Sequence, residues 1–476
     1  MGTFYVENFG CRATQADGAA IERQFRESGL ERADQSADAD IVVLNTCTVT
    51  AAADQDARAA IRRIHRKNPA CRIVVTGCYA QRAPEEIASL PGVAQVIGNS
   101  HKHELVNIAG QNFVPLATLR AEKLGAESNI FVSDIFAHTE LLAAPVFDAP
   151  NERVRPNLKV QDGCDNRCSF CVIPYVRGSS RSLPLGRILA EANALVAAGY
   201  REIVISGINL GRWGRDFKRS GQEPRFETLV RSILAHTSIE KLRISSVEPM
   251  DWSDELIQLV AESPRIARHA HVPMQSGSDR VLRKMHRKYR PWHYREKIEK
   301  IRRALPTAAI GADVMVGFPG ESGEDFEETR HMIEDLPFTY LHVFTYSARP
   351  GTPAVSMRDQ VPVEVARERN RILRELAAEK KLKFMRSFVG KSIEAITLKL
   401  SDSAKAGDPT TSFTAALTDN YLKLRLAGKH EPNRWMHALV EDVRDGSLIG
   451  SVETATYAPT ILRNSESSRS TSSVVL

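Results

Sequence analysis

Short β-branched or apolar runs alternate with helical patterns in two separate stretches of this 476-residue chain, and that alternation restricts the fold more than any other feature. In the first stretch the runs are Thr3–Val6, Ile41–Leu44 and Arg72–Thr76, with helical patterns such as Ala19/Ile21/Phe25 and Ala60/Ile61/Ile64 between them. In the second they are Leu158–Gln161, Glu202–Ser206, Lys241–Ser245, Ala270–Met274, Ala309–Val316 and Thr339–Tyr346. The fold class is therefore α/β, and the first stretch predicts a parallel sheet domain. Six βα units in about 200 residues predict an open, partial (β/α)6 barrel, not the closed eight-unit form.

These patterns divide the chain. Residues 1–125 form the first α/β domain. Residues 126–155 read as an irregular linker broken by Pro145 and Pro150. The barrel takes 156–388 and ends on a long charged helix near Val363–Phe388. Residues 389–455 change character, with strand-like runs at Ile393–Leu400, Tyr421–Leu426 and Met436–Val443, and predict a small all-β C-terminal module. The Ser-rich end, 456–476, reads as a disordered tail.

Hydrophobic content of 42% and charged content of 26% are ordinary for a soluble globular protein. No run approaches the roughly 18 apolar residues of a membrane span, and the N-terminus has no signal-peptide pattern, so the expectation is a cytoplasmic protein with no membrane partner. In a reducing compartment the seven cysteines are more suited to metal binding or reaction than to disulfides. The formal net charge is only +6, but Arg280–Arg303 alone holds eleven Lys/Arg against two Glu. That run is either a solvated helical face or a surface for phosphates.

Cys164, Cys168 and Cys171 give the spacing C-x3-C-x2-C directly after the first barrel strand. Three thiolates on one loop can reach one compact cluster and leave a fourth iron open to a small molecule. Zinc is the competitor, but a structural zinc takes four protein ligands, and spacing supplies no fourth here. Cys11, Cys47 and Cys78 each lie a few residues past a strand of the first domain. Loops beyond the carboxyl ends of parallel strands open onto one crevice, so these three converge. Cys71 begins its strand, at the opposite edge, and reads as structural.

The C-x3-C-x2-C loop in a βα-repeat barrel resembles the radical S-adenosylmethionine (SAM) superfamily. Two sites of three cysteines resemble, more narrowly, the methylthiotransferases. The likeness also rests on Asn45–Thr50, Thr76–Gln81, Gln161–Cys164, Ile173–Gly178, Pro273–Ser278, Gly317–Glu321 and Tyr346–Thr352. The C-terminal module resembles the TRAM domain, an RNA-binding β-barrel. The resemblance implies two four-iron, four-sulfur clusters, an auxiliary one on Cys11, Cys47 and Cys78 and a SAM-binding one on Cys164, Cys168 and Cys171. It places Phe170 beside the SAM adenine; simple loop packing is the alternative. By the same resemblance, one SAM is expected to methylate sulfur carried at the auxiliary site. A second is cleaved to a radical that removes hydrogen from an unactivated carbon, where the methylthio group is then attached. An external electron donor and a sulfur source are implied as partners.

Three substrates fit such an enzyme: a tRNA adenosine bearing a threonylcarbamoyl group, one bearing an isopentenyl group, and a ribosomal-protein aspartate. Asn45–Thr50, Gln161–Cys164, Gly207–Arg212, Ser245–Pro249 and Leu341–Phe344 resemble the threonylcarbamoyladenosine branch, which implies modification at carbon 2 of that base. Glu248, Gln275, Asp313 and Arg349 sit at strand ends, where barrel active sites collect, although Asp313 also reads as a buried strand polar group and Arg349 as a structural ion pair. The catalytic groups beyond the cysteines have no sequence assignment. A reading of another class is a non-catalytic iron–sulfur carrier or sensor that binds RNA; the barrel, a cavity such a carrier does not need, argues against it.

Overall fold

The computed structural model describes residues 2–110, 129–137, 154–220, 224–399 and 413–453. The expected tail at 456–476 and most of the expected linker lie outside the described residues. The N-terminal sheet has strands β1 (Thr3–Asn8), β2 (Glu31–Arg32), β3 (Ile41–Thr46), β4 (Arg72–Gly77), β5 (Val93–Gly98) and β6 (Asn129–Phe131), in the order β2-β1-β3-β4-β5-β6, with every pair parallel. Its middle strands are buried on both faces, which is why β3 reads as an unbroken Ile-Val-Val-Leu run. One correction follows. Residues 129–131, assigned above to the linker, pair with β5 as the sixth strand, three residues being too short to show a periodic pattern.

The central part has strands β7 (Asn157–Asp162), β8 (Arg181–Ser182), β9 (Glu202–Gly207), β10 (Lys241–Ile244), β11 (His269–His271), β12 (Ala309–Val316) and β13 (Tyr340–Thr345). Six of them run parallel in the order β7-β9-β10-β11-β12-β13, with β10 and β11 joined by single bridges such as Ser246 to His271. The short β8 adds antiparallel to β7. Among the described residues β7 and β13 do not pair, so the barrel is open. Alternate residues divide the strands. Leu158, Val160, Ile203, Ile205, Leu242, Ile244, Ile310 and Ala312 join the core beneath the helices. The residues between them, among them Lys159, Gln161, Lys241, Arg243, His269, His271 and Asp313, turn to the inside, because a strand shows its faces with period two.

The helix Val363–Arg386 leads to a closed five-stranded barrel of β14 (Ser392–Thr397), β15 (Phe413–Thr418), β16 (Lys423–Ala427), β17 (Trp435–Arg444) and β18 (Ser447–Val452). Closure removes the exposed edges that so small a sheet would otherwise present. Three of these strands overlap the runs read from sequence; β15 and β18 were not seen there. The β15–β16 turn seals the floor of the central barrel. Arg243 donates to the Asp419 carbonyl at 2.9 Å, its guanidinium lies 5.4 Å from the Tyr421 ring centroid, and Asn420 donates to the Thr307 carbonyl at 3.0 Å.

Candidate active site

The loop after β7 carries the central cysteines. Gly163 opens it at a φ of 73°, and a Cβ there would lie 2.0 Å from the Ser179 carbonyl oxygen, so only glycine makes this turn. Cys164 Sγ accepts from Asn209 Nδ2 at 3.6 Å, and Cys168 Sγ accepts from Arg287 Nη1 at 3.3 Å. Burial, reinforced by Cys168 nearby, pushes the Cys171 thiol up to about 12; burial also raises that of Cys164. The three sulfurs therefore feel one another, and a positive iron core would stabilise them as thiolates.

The N-terminal trio converges. Cys11 caps the helix Arg12–Glu27, while Cys47 and Cys78 directly follow β3 and β4. The positive end of the Arg12–Glu27 helix dipole lies at Cys11 and suits a thiolate. Gly77, at a φ of 99°, brings the chain within 2.3 Å of Thr46 O measured from an ideal Cβ, which no side chain tolerates. Burial, then the neighbouring Cys78 and Cys11, push the Cys47 thiol up to about 12. Cys71 lies in the apolar core at the other end of its strand.

Neither trio brings its three sulfurs within 4.8 Å of one another; among the described residues only His271, Asp313 and His342 place ligand atoms that close. One zinc ion at its usual Zn–S distance holds sulfurs about 3.8 Å apart. Neither trio is therefore drawn in as tightly as one zinc ion would hold it.

A buried charge network joins the two cysteine sites. Arg177, six residues after Cys171 and 2% exposed, donates through Nε to Cys78 Sγ at 3.3 Å, through Nη1 to both Asp162 oxygens at 2.9 Å, and through Nη2 to Asp17 at 3.1 Å. Lys159 bonds Asp17 and Asp162, and Lys102 bonds Asp17 at 3.1 Å. Burial works to raise the Asp162 carboxyl, but Arg177 and Lys159 hold it well below the usual range. Cys78, Val172 and Val176 pack beside this network. Three cations against two carboxylates leave one positive charge beside the Cys11/Cys47/Cys78 sulfurs.

The other sequence candidates separate. Phe170 is partly buried, edge-on to Phe318 at 6.4 Å, and forms an apolar wall beside Cys171. Glu248 pairs with Arg287, whose buried guanidinium touches Cys168. Asp313 accepts from His271 and His342 at 3.1 Å; burial works to raise its carboxyl, and these bonds hold it well below the usual range. His271, Tyr340 and His269 continue the chain of hydrogen bonds into the barrel. Gln275 takes a φ of 64°, and its buried Oε1 has no partner among the described residues. Arg349 pairs with Asp54 at 2.8 Å across the domain junction, which makes the ion-pair reading the observed one.

The basic run looks different in three dimensions. Arg280, Arg283, Arg295 and Lys300 pair with Asp325, Asp279, Asp335 and Asp254, Arg302 caps carbonyl groups, and Arg287 belongs to the cysteine loop. A sequence window counts its own charges and misses acids from other segments. Positive charge also gathers elsewhere, in a groove of about 850 Å³ between β13, the Val363–Arg386 helix and the C-terminal barrel, although Arg155 pairs there with Glu202 and Arg425 with Asp445, each at 3.5 Å. Arg155, Arg374, Lys381, Lys423 and Arg425 line it, and no acid does among the described residues.

Residues 3–98 match the Uncharacterized protein family UPF0004, and residues 158–333 match the Radical SAM superfamily. The chain is 37% identical to the threonylcarbamoyladenosine tRNA methylthiotransferase MtaB of Bacillus subtilis (strain 168), covering 90% of this chain and 92% of that one. The protein of the same name from Aquifex aeolicus (strain VF5) is 36% identical, over 91% and 99%. This chain belongs to the radical SAM methylthiotransferase family. A tRNA-2-methylthio-N(6)-dimethylallyladenosine synthase of Thermobifida fusca (strain YX) is 33% identical, over 96% of this chain and 87% of that one. Among solved structures, the radical SAM methyltransferase TsrM from Kitasatospora setae shares the fold, with a TM-score of 0.50 and 14% identity over 74% of this chain and 75% of that one. A radical SAM methylthiotransferase uses SAM and a four-iron cluster, and the C-x3-C-x2-C loop after β7 offers three free thiols for such a group. Sequence reasoning missed Asp17, Lys102, Lys159 and Arg287 as site residues. Asp162 and Arg177 lay inside segments that carried the resemblance but had no role. Polar residues at alternate positions of buried strands were the available signal for the inner surface. Among the described residues, no helix is long and apolar enough to cross a membrane.

Proposed function

We propose that this methylthiotransferase acts in the cytoplasm on tRNA, adding a methylthio group at carbon 2 of N6-threonylcarbamoyladenosine beside the anticodon. Near full-length similarity to relatives named for that reaction carries the reading, and the cationic groove supports RNA binding. Cys164, Cys168 and Cys171 hold the SAM-binding cluster, and Cys11, Cys47 and Cys78 hold a second, auxiliary one. When bound, the first supplies the electron that cleaves SAM to a hydrogen-abstracting radical, and the second carries the sulfur. Phe170 covers the SAM adenine. Arg287 fixes the Cys168 sulfur and is itself held by Glu248. Arg177 sets the charge around Cys78 while tying the domains together, so that the two sites keep their separation. An external electron donor and a sulfur source complete the turnover. The relatives named for dimethylallyladenosine keep the isopentenyl substrate as the second reading. Mass spectrometry of tRNA nucleosides from cells with and without this protein tests the choice. Loss of the methylthio form of threonylcarbamoyladenosine supports it; loss of only the isopentenyl form selects the second reading.

A further inference from the structure

Arg12 directly follows Cys11, yet its side chain leaves the N-terminal domain. Nη2 donates to the Tyr421 hydroxyl of the C-terminal barrel at 3.3 Å. Nη1 is buried and has no hydrogen-bond partner among the described residues, and Arg12 has no ion pair among them either. Its charge is felt by Tyr340, His269 and Arg155, which places it at the inner surface of the open barrel. Tyr340, Tyr421 and Arg155 also line the cationic groove. A guanidinium always carries its charge, and a buried guanidinium nitrogen without an acceptor is costly, so Nη1 is poised for an anion supplied from outside.

We infer that Arg12 binds the carboxylate of the threonylcarbamoyl substituent and thereby selects the substrate base. This inference rests on the reading of the preceding subsection. The methylthio group comes from the site that includes Cys11, so the reacting base must lie within reach of the adjacent residue. The nucleic-acid anions that stay outside the barrel are phosphates; the anion that travels in with the base is the free carboxylate on its N6 substituent. Isopentenyl has no charge and no hydrogen-bonding group, so it would leave Nη1 buried and unpaired. A site built to pair a polar group rejects an analogue lacking it far more strongly than an apolar pocket rejects a size change. The neighbouring Tyr340 hydroxyl and the His269 and His271 rings add further hydrogen-bonding groups at the same surface.

The test uses the full-length, reconstituted enzyme and three anticodon stem-loop RNAs. They carry threonylcarbamoyladenosine, the same nucleoside with its carboxylate converted to an amide, or plain adenosine. The wild type should bind the first roughly ten- to a hundredfold more tightly than the second, the range of one charge-assisted pair. Arg12→Gln should bring the first RNA to the level of the second, leaving iron content and affinity for plain-adenosine RNA as they were. Arg12→Lys should recover much of the difference. Equal weakening of all three RNAs by Arg12→Gln would make Arg12 a phosphate contact or a structural residue and overturn the inference, as would an unchanged preference for the carboxylate. A wild type that binds the first RNA but never methylthiolates it would instead refute the substrate reading on which the inference stands.

Discussion

Arg177→Met removes the buried cation that joins the N-terminal domain to the barrel. The substitution keeps most of the volume but leaves two Asp162 bonds at 2.9 Å, the Asp17 bond at 3.1 Å and the Cys78 contact at 3.3 Å unmade. Lys159 and Lys102 still offset the two carboxylates, so the network loses its excess positive charge without collapsing into an unpaired pair of acids. Breaking a buried ion pair by deleting one partner costs about 3–5 kcal/mol. At about 1.4 kcal/mol per decade this raises the population of molecules opened at the junction roughly a hundred- to several-thousandfold. Hydrogen exchange of the anaerobic, reconstituted protein reads this opening directly. Protection should fall in the helices Cys78–Arg82 and Ile173–Arg177 and stay constant in the core strands β12 and β13. Arg371→Met, which breaks only exposed ion pairs on the Val363–Arg386 helix, is the control and should change nothing at the junction. Unchanged protection in Arg177→Met would refute the network as the tie between the two sites.

Replacing Cys11, Cys47 and Cys78 together by Ala should halve the iron of the reconstituted protein and leave SAM cleavage to 5′-deoxyadenosine in place; full iron in that variant would remove the second cluster. Lys381→Ala and Lys423→Ala should each flatten the log–log salt dependence of tRNA binding by roughly 0.7–0.9, whereas Arg295→Ala, whose charge is already paired, should not. In iron-free protein burial pushes the folded Cys47 thiol up to about 12, so the unfolded chain, whose thiol lies in the ordinary range, releases its proton first. Stability should be full below pH 9 and fall as pH rises toward 12, a loss that thermal melts at pH 8 and pH 10 compare and that Cys47→Ala should lessen.

Local patterns carried most of the architecture. The β-branched runs at Ile41–Leu44 and Arg72–Thr76 mark strands because both faces of the sheet are buried, and the cysteines after them inherit their position from the parallel topology. What depends on distant segments was not legible. Arg287 looked like one of eleven neighbouring cations, and only the fold shows it buried between Cys168 and Glu248. Asp254 and Asp335 neutralise a basic run that lies far from them in sequence. Asn129–Phe131 is a strand through its pairing with β5, since three residues carry no period of their own. The groove is cationic because β16 of one domain meets a helix of another, which no window of sequence contains.

Purified, reconstituted protein given SAM and a reductant, and offered three substrates side by side, tests the central claim most directly. These are tRNA with threonylcarbamoyladenosine, tRNA with isopentenyladenosine, and the ribosomal protein, each followed by mass spectrometry for the added methylthio mass. The account predicts incorporation into the first alone, at carbon 2 of the adenine. Incorporation into either of the others, with none into the first, would contradict it.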